Sequence, residues 1–232
     1  MNYAPEIIER SHTDRGDIQL QKRENHFEII YNGTFLMATY NGESERLLVS
    51  SALRKCPYPR KVLIGGLGVG FSLEEALSDS RVEQVDVVEI EQAIIRWNRK
   101  HLAPYSGHAL DDPRTNVIHT DLVKWMNETD ASYDAVCLDI DNGPDWTVSA
   151  SNTGLYSEQG IKAAIRLLRP HGAVSYWSAG ASPEFAEYLK LFFHGVEALQ
   201  IPQQRGNPTM FIWLLRPKAY INPCFFSHSK TV

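Results

Sequence analysis

The stretch from Lys61 to Glu89 limits the possible folds more than any other part of the chain. It contains an apolar strand, a glycine-rich turn, a helical pattern and a second apolar strand that ends in Glu89. The turn holds four glycines, which are Gly65, Gly66, Gly68 and Gly70. Glycine permits a sharp turn and lets a ligand approach the bare backbone. A carboxylate at the end of the next strand is placed to accept hydrogen bonds from both hydroxyls of a ribose. This order of elements predicts an α/β fold that binds a nucleoside-bearing cofactor.

The spacing of the glycines distinguishes between kinds of cofactor. A dinucleotide-binding turn has the pattern G-x-G-x-x-G, in which the amino terminus of a helix faces a pyrophosphate. Here the pattern is G-x-G-x-G, and Glu74 and Glu75 follow in the first part of the helix. Two carboxylates in that place would repel a pyrophosphate. The pattern therefore favours a sulfonium cofactor without phosphates, S-adenosylmethionine or a relative of it, over a dinucleotide or a purely structural turn.

Composition and charge argue against several other classes of function. The net charge of -5 disfavours general affinity for nucleic acids, since binding to phosphates needs a basic surface. No apolar run approaches the length of a membrane span, and the amino terminus lacks the apolar core of a signal peptide. The cysteines are far apart, and the histidines show no metal-ligand spacing. We expect a cytoplasmic protein with no metal site, no membrane partner and no nucleic-acid partner.

The amino-terminal part of the chain differs from the rest. In the segment 26–40, strand-forming residues lie on both sides of Asn32-Gly33, which is a strong signal for a two-residue hairpin. A short helix is expected over 45–55. We therefore predict an amino-terminal β-hairpin appendage over residues 1–58 and a Rossmann-like domain over residues 59–232.

Strands and helices alternate from Arg60 onward, which implies a mostly parallel sheet with helices on both faces. Strands are predicted at 61–65, 84–90, 116–119, 133–140 and 173–177, and helices at 72–79, 91–102, 122–127, 157–169 and 183–193. The last two predicted strands, 195–201 and 209–215, have no helix between them and form an antiparallel hairpin. This α/β architecture is typical of the class I methyltransferase fold.

With these elements placed, the chain resembles the spermidine synthase superfamily, which is a branch of that fold. The resemblance is carried by Ile64 to Gly70, Val87 to Ile90, Asp112 to Arg114, Thr120-Asp121, Tyr133 to Asp139 and Leu155-Tyr156. It covers roughly residues 27 to 215 and is specific for the fold and the type of cofactor. It is less specific for the reaction, since members of the superfamily transfer either an aminopropyl or a methyl group.

The resemblance assigns cofactor-binding roles to residues around the glycine loop. It implies that Glu89 binds the ribose and that Asp121 binds the adenine amino group. It also implies that the glycine loop lines the amino-acid or aminopropyl end of the cofactor. We expect the neighbouring Ile90 and Leu122 to contact the cofactor as well. Asp121 has a second, compatible interpretation as the cap of the helix that begins at Leu122.

Two acids are implied at the reacting end. Asp139 matches the superfamily's catalytic aspartate, at the end of the fourth core strand and against the cofactor, and Asp141 stands near the second acid of that loop. An amine nucleophile arrives protonated, so an acid must bind the ammonium form and accept its proton. We expect Asp139 to act at the reacting end and Asp141 to anchor the substrate or organise the loop. A plain turn is the competing interpretation of Asp141, because turn-forming residues follow it.

Three aromatic side chains are candidates for binding the substrate. Trp146 can cover a cationic substrate with its ring face, and Tyr156 and Trp177 can line the same cleft. For each of them, a place in the core is the competing interpretation.

One departure from the superfamily pattern bears on the reaction. In spermidine synthases a segment D-E-x-x-Y-H-E anchors the diamine, and here residues 43–50 replace it, with Leu48 and Ser50 in place of the tyrosine and the second glutamate. Because that anchor is missing, we expect an enzyme that methylates a small amine-bearing metabolite with S-adenosylmethionine. The alternatives are an aminopropyltransferase that uses decarboxylated S-adenosylmethionine and a cofactor-binding protein without transfer activity. We expect a homodimer, with the hairpin appendage as its contact surface.

Overall fold

Two β-sheets organise the chain in a computed structural model that describes residues 4–140, 142–147, 152–201 and 210–217. The first sheet is antiparallel and contains β1 (Glu6–Thr13), β2 (Gly16–Arg23), β3 (His26–Tyr31) and β4 (Thr34–Ala38) in that order. The turn between β3 and β4 has positive φ at Asn32 and Gly33, as a two-residue hairpin turn requires. The appendage is therefore a β-structure as predicted, but it has four strands and the sequence pattern identified only the last two.

Helix α1 (Glu43–Lys55) leads from this sheet to a central sheet of seven strands. The central elements are β5 (Lys61–Gly65), α2 (Phe71–Ser78), β6 (Gln84–Glu89), α3 (Gln92–Lys100), β7 (Thr115–His119), α4 (Leu122–Glu128), β8 (Tyr133–Leu138), α5 (Thr153–Tyr156), α6 (Glu158–Arg166), β9 (Leu168–Ser178), α7 (Pro183–Leu189), β10 (Phe193–Ile201) and β11 (Met210–Pro217). Their strand order is β10-β11-β9-β8-β5-β6-β7. The five strands from β9 to β7 are parallel, and β10 and β11 form the predicted antiparallel hairpin. The predicted fold class is confirmed.

Apolar side chains leave the central strands alternately toward two cores, as the two-residue period of a strand requires. Val62 and Ile64 of β5 belong to one core, which also contains side chains of α1, α2, α3 and the amino-terminal sheet. Leu63 belongs to the other core, beneath α4, α6 and α7. The amino-terminal sheet thus shares a continuous core with one face of the central sheet. The division into units at residues 58 and 59 stays a prediction.

The strand β9 is longer than the sequence pattern indicated. The sequence pattern predicts a helix over 157–169 and a strand that starts at Ala173, but β9 begins at Leu168. The register with β8 shifts between Tyr133 and Ala135, and His171 has a φ of 68°. The first residues of β9 are irregular and include turn-forming residues. Because such residues are typical of turns, the sequence pattern did not predict a strand there.

Among the described residues the longest helix is α1, with 13 residues, and no helix there has the length and apolarity needed to cross a membrane. The same residues contain no group of three or more His, Cys, Asp or Glu side chains placed to hold a metal ion.

A buried ionic network joins four strands of the central sheet. Asp86 of β6 is buried, and its carboxylate accepts hydrogen bonds from the Tyr133 hydroxyl at 2.7 Å and from Asn116 Nδ2 at 3.0 Å. Gln84 Nε2 donates to it at 2.7 Å, and Lys61 Nζ lies 3.4 Å from Oδ2. Burial alone would raise the pKa of Asp86, but these hydrogen bonds and the Lys61 charge outweigh it and lower the pKa. Asp86 is therefore a stabilising anion in the sheet.

We predict that Tyr133→Phe lowers the free energy of unfolding by about 1–3 kcal/mol, because it removes one donor from a buried carboxylate. Urea denaturation at neutral pH measures this loss. The control is Tyr58→Phe, at a tyrosine that is 76% exposed, for which a change within about 0.5 kcal/mol is expected. Equal stability of the two variants would contradict the stabilising role of the network.

Candidate active site

One cleft opens where the parallel strands end, beside the glycine loop that follows β5. This is the edge at which open α/β sheets bind their ligands. The segments after β5, β6, β7 and β8 form one side of the cleft, and side chains of the amino-terminal sheet, including Met37, form the other. Five carboxylates line it, which are Glu45, Glu89, Glu91, Asp121 and Asp139. The structure therefore brings Glu89, Asp121 and Asp139, which were predicted separately, into one site.

Two glycines of the loop lie against neighbours that leave no space for a side chain. A Cβ on Gly66 would lie 2.1 Å from the carbonyl oxygen of Asp139, and a Cβ on Gly68 would lie 2.7 Å from Met37 Sδ. Both glycines also have positive φ, 92° and 52°. Met37 Sδ accepts a hydrogen bond from Val69 N at 3.1 Å. The loop is thus held between the end of β8 and strand β4, and Gly66 and Gly68 line the cleft.

The other two predicted glycines lie behind the loop. Gly65 packs against the Leu122 side chain, and Gly70 is the cap of α2 with a φ of 95°. Neither is among the described residues that line the cleft. In this structure they shape the loop, and their direct contact with a cofactor stays a prediction.

Glu89 ties the glycine loop to the turn after β6. Its Oε2 accepts a hydrogen bond from Leu67 N at 2.9 Å, and its Oε1 accepts one from Glu91 N at 2.7 Å. Burial raises the pKa of Glu89, and the two backbone donors oppose that rise. Each carboxylate oxygen has a second lone pair, so both could still accept a hydrogen bond from a ribose hydroxyl, and the ribose-binding role of Glu89 stays a prediction. Ile90, the next residue, lines the cleft beside it.

Asp121 performs one of its two predicted roles in the structure itself. Its Oδ1 accepts a hydrogen bond from Lys124 N at 2.8 Å and caps α4. Asp121 and Leu122 also line the cleft. The cap fixes one carboxylate oxygen and leaves the other to accept a hydrogen bond, so contact with an adenine amino group is compatible with the cap and stays a prediction.

Asp139 has a partner that the sequence did not indicate. The removal of water around Asp139 raises its pKa well above the ordinary value, and the nearby charge of Glu45 raises the pKa further. Glu45 lies on α1 and is 5% exposed, and burial raises its pKa too, against the hydrogen bond from the Ser44 hydroxyl at 2.8 Å. Asp139 and Glu45 therefore lie in surroundings that disfavour a negative charge on either of them. A bound cation would relieve both.

The predicted substrate residues lie in different surroundings. Trp177 is buried and lines the cleft. Tyr156 is partly buried and packs its ring against Phe185, a member of a core cluster, with centroids 5.5 Å apart. Trp146 is 58% exposed and is not among the described residues that line the cleft. Asp141 lies outside the described residues. The substrate-binding roles of all four stay predictions.

Glu45 was missed although its sequence position carries a signal. Leu48, Val49 and Ala52 form the buried stripe of α1, and Glu45 continues the same stripe one turn earlier. A carboxylate on the apolar face of a helix indicates a buried acid, which needs a partner or a function. Arg15 also lines the cleft, and its position in a turn of the amino-terminal sheet gives no comparable signal.

The comparisons with known proteins agree with this architecture. The spermine/spermidine synthase domain matches residues 43–194. A polyamine aminopropyltransferase of Saccharolobus islandicus is 33% identical over 147 residues, which cover 63% of this chain and 48% of the relative. Polyamine aminopropyltransferase 1 of Streptomyces coelicolor is 31% identical over 211 residues, which cover 82% of this chain and 39% of the relative. The chain thus spans less than half the length of either relative.

Two solved structures share the fold. A spermidine synthase in complex with the transition-state analogue AdoDATO has a TM-score of 0.80 at 18% identity, over 90% of this chain and 73% of the other. A spermidine synthase from Thermotoga maritima has a TM-score of 0.77 at 17% identity, over 90% and 72% of the two chains.

The expectation of methyl transfer, with S-adenosylmethionine as methyl donor, is overturned by these relatives, which are named as aminopropyltransferases. That expectation depended on the missing diamine anchor at Leu48 and Ser50. In the structure Leu48 is part of the core, whereas Glu45 of the same segment brings another carboxylate to the cleft. The loss of the usual anchor was therefore not a sufficient reason to exclude aminopropyl transfer.

The predicted resemblance is confirmed, because the domain match extends from α1 into β10 and includes the glycine loop, Glu89, Asp121 and Asp139. The chain belongs to the spermine/spermidine synthase domain family.

Proposed function

We propose that the protein transfers the aminopropyl group of decarboxylated S-adenosylmethionine to a small amine. The observation that carries the proposal is the pair of acids, Glu45 and Asp139, at the reacting end of a cleft whose other end presents Glu89 and Asp121. Family membership and the names of the relatives support it.

The charge of the cleft favours a donor without a carboxylate. Five carboxylates line it, and among the described lining residues Arg15 is the one cationic side chain. Arg15 is paired with Glu91, on the turn that follows Glu89 and therefore near the ribose end. A carboxylate placed near Asp139 and Glu45 would meet like charges with no described cation to balance them. A decarboxylated donor carries an ammonium and a sulfonium group, and both complement the acids.

The remaining features of the cleft suit a nucleoside. Glu89 and Asp121 provide acceptors for ribose hydroxyls and for an amino group, and the side chains of Ile90, Ile94 and Leu122 provide apolar walls. Phosphates would meet the same carboxylates and be repelled. The donor therefore matches the site in polarity and in charge.

The chemistry requires little beyond alignment and the removal of one proton. The donor supplies a methylene carbon bonded to a positively charged sulfur. The acceptor nitrogen attacks that carbon, a C–N bond forms, the C–S bond breaks, and the sulfur leaves as the thioether of 5′-methylthioadenosine. Asp139 and Glu45 bind the acceptor in its ammonium form, and one of them takes the proton that frees its lone pair. Holding nitrogen and carbon in line supplies a large part of the rate enhancement. Asp141 is retained as a proposed second anchor for the amine.

The homodimer and the cytoplasmic location that were expected from the sequence remain predictions. A sizing column with light-scattering detection measures the first of these directly.

The choice of donor tests the proposal. We predict that decarboxylated S-adenosylmethionine binds at least about tenfold more tightly than S-adenosylmethionine, because only the latter places a carboxylate among the acids. Isothermal titration calorimetry on the full chain measures both affinities, and 5′-methylthioadenosine provides the reference for the nucleoside part. Tighter binding of the carboxylated donor would overturn the proposal. Binding of none of the three would favour a protein without transfer activity.

The acid pair gives a second prediction. Asp139→Asn and Glu45→Gln should each lower turnover with decarboxylated S-adenosylmethionine and a panel of linear diamines, by about 10²–10⁴-fold for the residue that accepts the proton. Release of 5′-methylthioadenosine, measured by chromatography, reports the rate. Asp130→Asn and Glu43→Gln change exposed acids outside the cleft and should keep wild-type rates. Wild-type turnover in both cleft variants would remove the pair from the mechanism.

The pH dependence follows from the raised pKa of Asp139. The amine binds the ionised acids, so kcat/KM for the amine should rise with pH over a range that lies above the ordinary aspartate pKa of about 3.9. Asp139→Asn should remove or shift that rising limb.

The raised pKa of Asp139 also bears on stability. The folded protein favours protonated Asp139, so this acid costs stability as pH rises from its unfolded to its folded pKa. Asp139→Asn should therefore be at least as stable as the wild type at neutral pH, and a thermal unfolding scan separates lost chemistry from lost folding.

A further inference from the structure

Arg15 connects the amino-terminal sheet to the ribose end of the cleft. It lies in the turn between β1 and β2, and its Nε donates to Glu91 Oε1 at 3.0 Å. Its second guanidinium nitrogen, Nη2, donates to the backbone oxygen of Ile90 at 3.3 Å. The backbone oxygen of Arg15 in turn accepts a hydrogen bond from the Tyr31 hydroxyl at 3.0 Å. The turn that carries Arg15 is thus fixed by β3, and the guanidinium is fixed on the segment that follows Glu89.

Glu91 is the acid that this contact holds. It is 4% exposed, lines the cleft, and donates its backbone N–H to Glu89 Oε1 at 2.7 Å. Arg15 occupies Oε1, whereas Oε2 is buried and has no hydrogen-bond partner among the described residues. A buried carboxylate oxygen without a donor is costly and calls for an explanation, and a hydroxyl of a bound ligand would provide the missing donor. The cap of α3 does not explain it, since the Glu91 side chain makes no capping hydrogen bond.

We infer that Glu91 is a second ribose-binding carboxylate, with Oε2 accepting a hydrogen bond from one ribose hydroxyl and Arg15 positioning the side chain. This inference rests on the proposed function, because it takes the ligand to be an adenosine-type nucleoside. The Glu91 N–H donates to the Glu89 carboxylate, the charge of Glu91 acts on that carboxylate, and both residues line the cleft. Each of the two ribose hydroxyls then has an anionic acceptor of its own.

The consequence is a stronger requirement for an intact ribose than one carboxylate would impose. A site built to bind a hydroxyl rejects an analogue that lacks it, because the buried acceptor is then left unpaired. Arg15 adds a positioning role, since its two contacts hold Glu91 and the backbone of Ile90 in one arrangement. Through this residue the amino-terminal sheet contributes to donor recognition by positioning Glu91.

Calorimetry with 5′-methylthioadenosine and its 2′-deoxy and 3′-deoxy analogues tests the inference. In the wild type, removal of the hydroxyl bound by Glu91 should weaken binding about tenfold, and in Glu91→Gln the same removal should change affinity by less than about threefold. Arg15→Gln should give an intermediate ratio, and Arg15→Lys should restore part of the wild-type ratio. Each ratio compares the affinities of two ligands for the same variant. A variant that is merely less stable would therefore not show a changed ratio.

Two exposed residues provide matched controls. Glu83→Gln and Arg10→Gln leave the cleft unchanged and should keep the wild-type ratio. If Glu91→Gln shows the same ribose-to-deoxyribose ratio as the wild type for both analogues, the inference is wrong while the proposed function stands. If the wild type binds neither 5′-methylthioadenosine nor decarboxylated S-adenosylmethionine, the proposed function fails, and the inference fails with it.

Discussion

The site depends on the hydrogen bonds that the buried carboxylate of Glu89 accepts. It receives one backbone N–H from the glycine loop, at Leu67, and one from the next turn, at Glu91. These two segments follow adjacent parallel strands, β5 and β6, and without a shared acceptor their N–H groups would lack partners in a buried place. The acid that is expected to bind the ribose therefore also builds the pocket. Pre-organisation of this kind reduces the free energy that a ligand would otherwise lose in ordering the loop.

A second constraint comes from the acids at the opposite end of the cleft. Burial raises the pKa values of Asp139 and Glu45, so the site holds two carboxylates in surroundings that disfavour their charge. The backbone of Asp139, directly after β8, is held beside the glycine loop, because its N–H donates to Gly65 O at 2.9 Å and its carbonyl oxygen lies where a Cβ on Gly66 would stand. Destabilising charge kept at a fixed position is typical of a functional site, since a core would be more stable without it. If the proposed function is correct, binding of a cationic amine turns this cost into binding energy.

The sequence predicted those elements whose structure depends on residues that are close together in the chain. Strands β5, β6 and β8 are buried on both faces, so their sequences are apolar runs that are easily recognised as strands. The glycine loop and Glu89 were then identified by their positions at the ends of β5 and β6. Strands β1 and β2 were missed because they carry many polar residues and lack a two-residue hairpin signal such as Asn32-Gly33. The approach of Glu45 to Asp139 depends on how α1 packs on the central sheet, and no spacing in the sequence encodes that distance. For the same reason, the sequence showed that the usual diamine anchor was absent but not that another acid reaches the cleft.

The amino-terminal sheet contributes more to the candidate active site than its description as an appendage implies. Met37 of β4 lies against Gly68 and accepts the Val69 N–H, so it holds the glycine loop from the side opposite β8. Arg15, from the turn between β1 and β2, holds the segment after Glu89. Its strands also share a core with the central sheet, so they are positioned by the same burial that stabilises the fold. A change that loosens this sheet would therefore disturb both the glycine loop and the segment after Glu89, although none of the sequence motifs for cofactor binding lies in it. The donor binding that we propose would thus depend on the packing of the amino-terminal sheet, through two side chains that the family motifs do not include.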